Sequence, residues 1–372
     1  MPVKITVHDL PELFAPDLER IQLAKERQAR FWKGEPNDVP PIVCSGTLRP
    51  EQEAIPTPNL KEAFDDIDMM IFGQVRSACS MANSGSDGIP SVRGNYGTGV
   101  LLSCLGLEQE VFPDKMPWLK QQLTREQVAK LTPDDIKIQG TFAQGLEFMH
   151  KIKDIFGDTL PAYCMDTQGP FDLAHLMIGD DLFYLFYDDA KLGEHVMNLA
   201  VELGIKTHEW MKEINGEAPD QFYHSNALYA ENIGIRICED TSAIVGPDMI
   251  EDICIPASQR LARHFGSAWV HYCGRNDHLT KAVCEAPELI GINFGHIPGH
   301  EQDHPFDQDM EICRDTNTKF FGGWPNLPGE SAKDQLKRLH HWAKQGVLLP
   351  QVNPDGDEFK NHEELLEFWY GL

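Results

Sequence analysis

What this chain lacks narrows it first. Nowhere among its 372 residues is there an uninterrupted apolar run of the ~18 residues that a membrane-spanning helix requires. The start, residues 1–10, holds no sustained apolar segment and no small-residue cleavage pattern, so no targeting segment is expected there. Positive charge is scarce: 32 Lys and Arg stand against 58 Asp and Glu, a net charge of −26. A general phosphate-backbone binder presents the opposite excess, and an anionic membrane surface repels such a chain. Nucleic acid and membrane are therefore not expected partners, and a cytoplasmic protein is the default expectation. The phosphate-loop and dinucleotide patterns GxGxxG and GxxxxGK[ST] are missing, as is any CxxC pair.

Nine cysteines are present, several inside apolar runs such as Ile237-Cys238 and Ile253-Cys254-Ile255. An odd number placed this way reads as reduced, buried thiols rather than a disulfide framework. With 41% hydrophobic and 24% charged residues the composition is globular, and the length suits one α/β barrel with additions or two ordinary domains.

Along the chain, residues 18–32 read as a charged helix closed by Gly34, and residues 42–45 as a first short strand. An acidic helical segment around 60–71 precedes the glycine-rich loops 84–90 and 93–99. A polar, helix-rich stretch, 124–156, leads to the strand candidate 162–166, then to a helical pattern over 173–203 broken near 179–181. After this, strands at 234–238, 268–270, 289–292, 319–321 and 347–349 alternate with helices at 247–264, 277–286, 307–315 and 331–345, with a kink expected at Pro256. Such alternation means βα units on a parallel sheet. The number of units, without a dinucleotide fingerprint, favours a (β/α)8 barrel over an open doubly wound sheet, with the site at the strand C-termini. The expectation is one domain over residues 1–372, the first 40 or so forming an N-terminal helical extension.

The stretch 267–275 carries the chemistry. His271 and Cys273 lie one residue apart at the end of an apolar strand, so their side chains leave from the same face and can reach one point. A thiol and an imidazole together suit a soft metal, although a zinc site needs at least a third protein ligand. His296, nearest the next strand end in a loop that also holds His300, Glu301 and His304, is the first candidate for it. Glu239 and Asp240 follow another strand, where paired carboxylates suit acid–base work or an N-cap. Asp166 ends a further strand, and Asp87 precedes Gly88; each is a candidate catalytic group or a turn former. Arg93, Tyr96, Gln168, Asn293, Trp324 and Gln351 are candidates for lining a substrate cleft.

Residues 18–372 resemble the uroporphyrinogen decarboxylase superfamily. The likeness is carried by residues 35–40 before the first strand, Gln168-Gly169-Pro170, Tyr187-Asp188-Asp189, residues 239–243 with 246–250 and Pro256, His271-Tyr272-Cys273-Gly274, and Gly322-Gly323-Trp324. It implies a (β/α)8 barrel and one of three chemistries: cofactor-free decarboxylation of porphyrinogen acetates, zinc-dependent methyl transfer between corrinoids and thiols, or corrinoid-independent methionine synthesis. True decarboxylases carry an Arg-Gln-Ala-Gly-Arg run after the first strand, where this chain reads Cys44-Ser45-Gly46-Thr47-Leu48, and a Gly-His-Gly where it reads Pro350-Gln351-Val352. Each lost arginine clamp would forfeit roughly 1.5–3 kcal/mol on a polyanionic substrate, so uroporphyrinogen itself is not the expected substrate.

The His-x-Cys at 271 and 273 matches the first two zinc ligands of the corrinoid-linked methyltransferase branch, while the later cysteine of that branch has no counterpart among residues 350–356. Three readings follow. One is a methyltransferase using zinc and a corrinoid on a partner protein, another a lyase of a carboxylated small molecule with Asp87 or Glu239 as proton handler, and the third a non-catalytic small-molecule binder. A homodimer is the commonest assembly for such a chain.

Overall fold

The computed structural model describes residues 5–295, 304–353 and 358–372. Its fold is mixed α/β around a five-stranded parallel sheet. The strands are β1 (Ile235–Cys238), β2 (Ala268–Cys273), β3 (Leu289–Gly295), β4 (Lys319–Gly322) and β5 (Leu348–Pro350), paired in chain order. Parallel neighbours need a crossover, and helices Ile255–His264, Asp277–Glu285, Phe306–Thr316 and Ala332–Lys344 supply it. Alternate residues then divide the work. Ile237, Val270, Tyr272 and Ile292 pack outward against Leu261, Leu279, Met310 and Leu336 of those helices. Trp269, Phe321 and Leu349, on the opposite face, gather with Val43.

That inner face is sealed at one end by pieces from elsewhere in the chain. Phe31 and Trp32 of helix Leu18–Lys33 join it, as do Phe222 and Leu228 of the antiparallel hairpin Gln221–His224/Leu228–Glu231. The helix starts on Asp17, whose carboxylate accepts from Arg20 N–H, and stops at Gly34, where φ of 70° suits glycine. Fully buried Gln28 ties helix to hairpin: its Nε2 donates to Asp87 O and Ala227 O, and its Oε1 accepts from Tyr229 N–H.

Both edges of the sheet are continued by single parallel bridges, Val43 to Gln351 beyond β5 and Gln168 to Cys238 beyond β1, with a further bridge between Val92 and Ala162. Asp87 N–H donates to Ile42 O at 2.8 Å.

Most expected helices are present within a residue or two of their predicted ends. The pattern over 173–203 resolves into helices Pro170–Ile178, Asp181–Asp188 and Ala190–Asn215. At Pro256 the helix runs on through a π-helical turn, Ile250–Cys254, which places the wide turn where the missing N–H of proline would otherwise break the ladder. The hairpin had no expectation, because its strands are only four residues each. The strand expected at 162–166 holds one bridge instead of a ladder. All nine cysteines are free, and only Cys273 is exposed. Among the described residues no helix is long and apolar enough to cross a membrane.

Candidate metal centre at the carboxyl ends of the strands

The period of two along a strand, combined with the register between strands, builds the site. On β2 the side chains of Trp269, His271 and Cys273 share the inner face; on β1 Arg236 and Cys238 do. Arg236 pairs with Trp269 and Cys238 with His271, so an Arg–Cys column stands beside a Trp–His–Cys column. On β3, Asn293 is level with His271 and Gly295 with Cys273. A Cβ on Gly295 would lie 2.4 Å from Cys273 Sγ, so glycine there leaves the thiol its room.

Among the described residues, Cys238, Asp240 and His271 bring one ligand atom each to within 4.8 Å of one another. Cys273 Sγ joins at the edge, 3.5 Å from His271 Nε2. Asp240 is held in place twice. Its Oδ1 accepts from Cys273 N–H at 2.7 Å, and its own N–H donates to buried Asp172, which also accepts from Thr241 N–H. His271 Nδ1 donates to Asn293 Oδ1 at 2.8 Å, which fixes the proton on that nitrogen and leaves the Nε2 lone pair toward Cys273. Burial, helped by the Arg236 charge, pulls the His271 pKa down to about 4, so the ring is neutral at pH 7. Burial pushes the Cys238 thiol well above its ordinary range and Cys273 up to about 11, the latter raised further by Asp240. Neither thiol ionises unaided; a cation among these donors would favour the thiolate.

Deeper on the same inner face, Asp166 Oδ1 lies 3.8 Å from Arg236 Nη1 and 3.9 Å from Arg93 Nη1, and accepts from Gln168 Nε2 at 3.2 Å. Buried His224 of the hairpin lies against Tyr163 and Trp269, kept neutral by burial and by the two arginines. On the other side of Asn293 opens a cleft of about 500 Å³ lined by Gly322, Trp324 and Gln351.

The structure thus brings together His271, Cys273, Asp240, Asp166, Arg93, Gln168 and Asn293, with Trp324 and Gln351 along the adjoining cleft. Other candidates lie apart from this group. Glu239 is buried outside the inner face, where Ser258 Oγ donates to its Oε1 at 2.7 Å and Ser242 Oγ to its Oε2. Burial and the neighbouring Asp172 raise its pKa, and burial with the neighbouring Asp240 raises that of Asp172. Asp87 pairs with Arg27 at 2.8 Å and accepts from Ile42 N–H and the Tyr370 hydroxyl, which ties both ends of the chain to the sheet. Tyr96 is buried against Phe64. His296, with His300 and Glu301, lies outside the described residues. His304 Nε2 hydrogen-bonds Gly274 O at 2.7 Å, and its ring stacks on Phe294. Cys238 and Arg236 were missed as site residues: a cysteine in an apolar run reads as core, and only the pairing of β1 with β2 brings it beside His271.

No protein-family model matches this chain, and no curated protein matches it in sequence. Solved structures do. A methyltransferase from Methanosarcina mazei superposes with a TM-score of 0.66 over 93% of this chain and 98% of that chain, at 18% sequence identity. The two chains share a fold over nearly their whole lengths.

Proposed function

We propose that this chain is a metal-dependent methyltransferase of the uroporphyrinogen decarboxylase superfamily, on a closed (β/α)8 ring, passing a methyl group from a corrinoid on a partner protein to a small thiol. The bridges Val43–Gln351 and Gln168–Cys238 support the ring, since they continue the five-stranded sheet at both edges, and Val92–Ala162 adds one more parallel pair. The likeness in fold to a methyltransferase supports the reaction class.

The observation that carries the reading is the convergence of Cys238, Asp240 and His271 within 4.8 Å at the carboxyl ends of adjacent strands. One thiolate, one imidazole and one carboxylate, with Cys273 at the edge, are a donor set that suits zinc. Zinc held there would supply a Lewis acid that lowers the pKa of a bound thiol. The chain's own residues do the rest. Asn293 holds His271 in the tautomer whose Nε2 can donate a lone pair, and Asp172 and the Cys273 N–H hold Asp240. With its Nδ1 proton given to Asn293 and its Nε2 turned to the cluster, His271 would have no free nitrogen for the acceptor's proton while it held a metal, so that proton would go to solvent. A corrinoid, when bound, would supply the methyl group and keep the electron pair of the broken bond, while the acceptor's thiolate sulfur would form the new bond to carbon.

A lyase reading that uses Asp87 or Glu239 has less support, because these carboxylates are engaged with Arg27 and Tyr370, and with Ser242 and Ser258. The deciding experiment is elemental analysis of the purified protein together with C238A and H271A. About one zinc per folded chain, lost in both variants, is the expected result. A metal-free wild type, or variants that keep their metal, would refute it.

A further inference from the structure

The end of the sheet opposite the candidate metal centre holds a buried cation that no carboxylate meets. Lys319 opens β4, level with Gly291 of β3, and is only 6% exposed. Its ammonium donates to Gly346 O at 2.9 Å and to Asn317 Oδ1 at 3.3 Å, and lies 5.8 Å from the centre of the Phe31 ring. These partners are all neutral. The ammonium carries three N–H groups, and among the described residues it has no third oxygen acceptor. Burial lowers its pKa, and no carboxylate lies close enough to offset this. Buried lysines are ordinarily paired with a carboxylate, and this chain has 58 Asp and Glu from which to supply one.

Lys319 also stands in the wall of a cavity of about 450 Å³, a volume typical of small-molecule sites. Trp32, Pro287, Leu289 and Ile290 make the apolar part of that wall. Asn317, whose Oδ1 is taken by Lys319, brings its Nδ2 as a second donor. Glu285, the single carboxylate of the wall among the described residues, is ion-paired with Lys281 at 3.8 Å. We propose that this cavity binds a small carboxylate with a compact apolar body, the carboxylate on Lys319 and Asn317 and the body against Trp32 and Pro287. Phosphate suits it less, because a dianion would face one ammonium and an apolar wall. The cavity lies at the amino ends of the strands, away from Cys238, Asp240 and His271 at the carboxyl ends, so the site does not rest on the proposed function.

The test is calorimetric titration of the full chain with benzoate, uncharged benzamide and inorganic phosphate. Benzoate is expected to bind the wild type with a Kd on the order of millimolar, and the other two about tenfold more weakly or less, the size of one lost charge-assisted bond. K319M should abolish benzoate binding while its denaturation midpoint stays at or above that of the wild type, because it removes a buried charge without a counter-ion. Unfolding cannot imitate that pair of changes. N317G, at an exposed position whose φ of 58° suits glycine, should weaken benzoate several-fold. C238A should bind benzoate as the wild type does. Benzoate should also slow reductive methylation of Lys319 in the wild type, read by mass spectrometry, where benzamide should not; if K319M folds poorly, this protection and N317G decide. A folded wild type that ignores benzoate, equal or tighter binding of benzamide or phosphate, benzoate retained by folded K319M, or an unprotected Lys319 would overturn the site.

Discussion

The two ends of the inner face of one sheet are built from the same strands and differ almost completely in chemistry. At the end sealed by helix Leu18–Lys33 and the hairpin, Val43, Trp269, Phe321 and Leu349 make an apolar layer, bordered at Trp269 by Arg236 and His224. Two residues further along the same strands stand His271 after Trp269 and Gln351 after Leu349, beside Cys238 and Asn293. The lesson is that one pleated surface stabilises at one end and presents reactive groups at the other. Burial of the polar end is tolerated because nearly every group there has a partner: Asn293 for His271, Asp172 and Cys273 N–H for Asp240. Among the described residues, Nε and Nη1 of Arg236 are the exceptions beside this cluster.

If that division is right, the two ends can be damaged independently. The largest effect is expected from F321A, which empties a site only 2% exposed in the apolar layer and should cost about 3–5 kcal/mol of stability in chemical denaturation while leaving metal per folded chain unchanged. C238A should do the reverse, removing metal with a denaturation midpoint close to wild type. Loss of metal in F321A at equal folded fraction would break the comparison.

A smaller effect sharpens it. N293A removes the hydrogen-bond acceptor of His271 Nδ1 without touching a ligand atom, and should weaken metal affinity about 10–100-fold in a competition assay. Wild-type affinity in N293A would mean that the tautomer is set by something else.

The smallest effect is on pH dependence, and it probes the carboxylates just outside the inner face. Burial raises the pKa of both Glu239 and Asp172, with Asp172 adding to the rise at Glu239 and Asp240 to that at Asp172, so the folded protein holds protons that the unfolded chain releases above the ordinary carboxylate range. Their contribution to stability is thus fully present at low pH and is lost as pH rises toward and past neutrality. E239Q should flatten that loss by about 1 kcal/mol between pH 6 and 8, read from denaturation midpoints. Burial depresses the pKa of His208 to about 4, which acts in the opposite direction: the unfolded chain takes up its proton first, so stability falls as pH drops from about 6.5 toward 4. A loss above neutrality as steep in E239Q as in the wild type would place its cause elsewhere.

Much of this was legible in the chain. The alternation of apolar strands with amphipathic helices placed the β2 to β5 segments within a few residues, and the one-residue gap between His271 and Cys273 placed both on one face. Asp87 reads as a catalytic group or a turn former and Tyr96 as a cleft residue, and nothing local in the sequence sets either apart from the site. What separated Asp87 was the arrival of Arg27 and Tyr370, from near the two termini of the chain, on its carboxylate. The hairpin at 221–231 was invisible for a related reason. Strands of four residues carry too little periodicity, and their stability comes from Gln28 and Trp32, almost two hundred residues away.

The sequence by itself determined the local geometry: which residues form strands and helices, and which side chains within one strand point the same way, because the backbone period depends only on neighbours. Only the tertiary structure decided that Cys238 stands level with His271, that Asn293 reaches the same ring, and that two arginines meet over one aspartate. Each of these depends on the register between strands separated by whole helices. That register follows from how all the outward faces pack against their helices at once, a condition no short stretch of sequence contains.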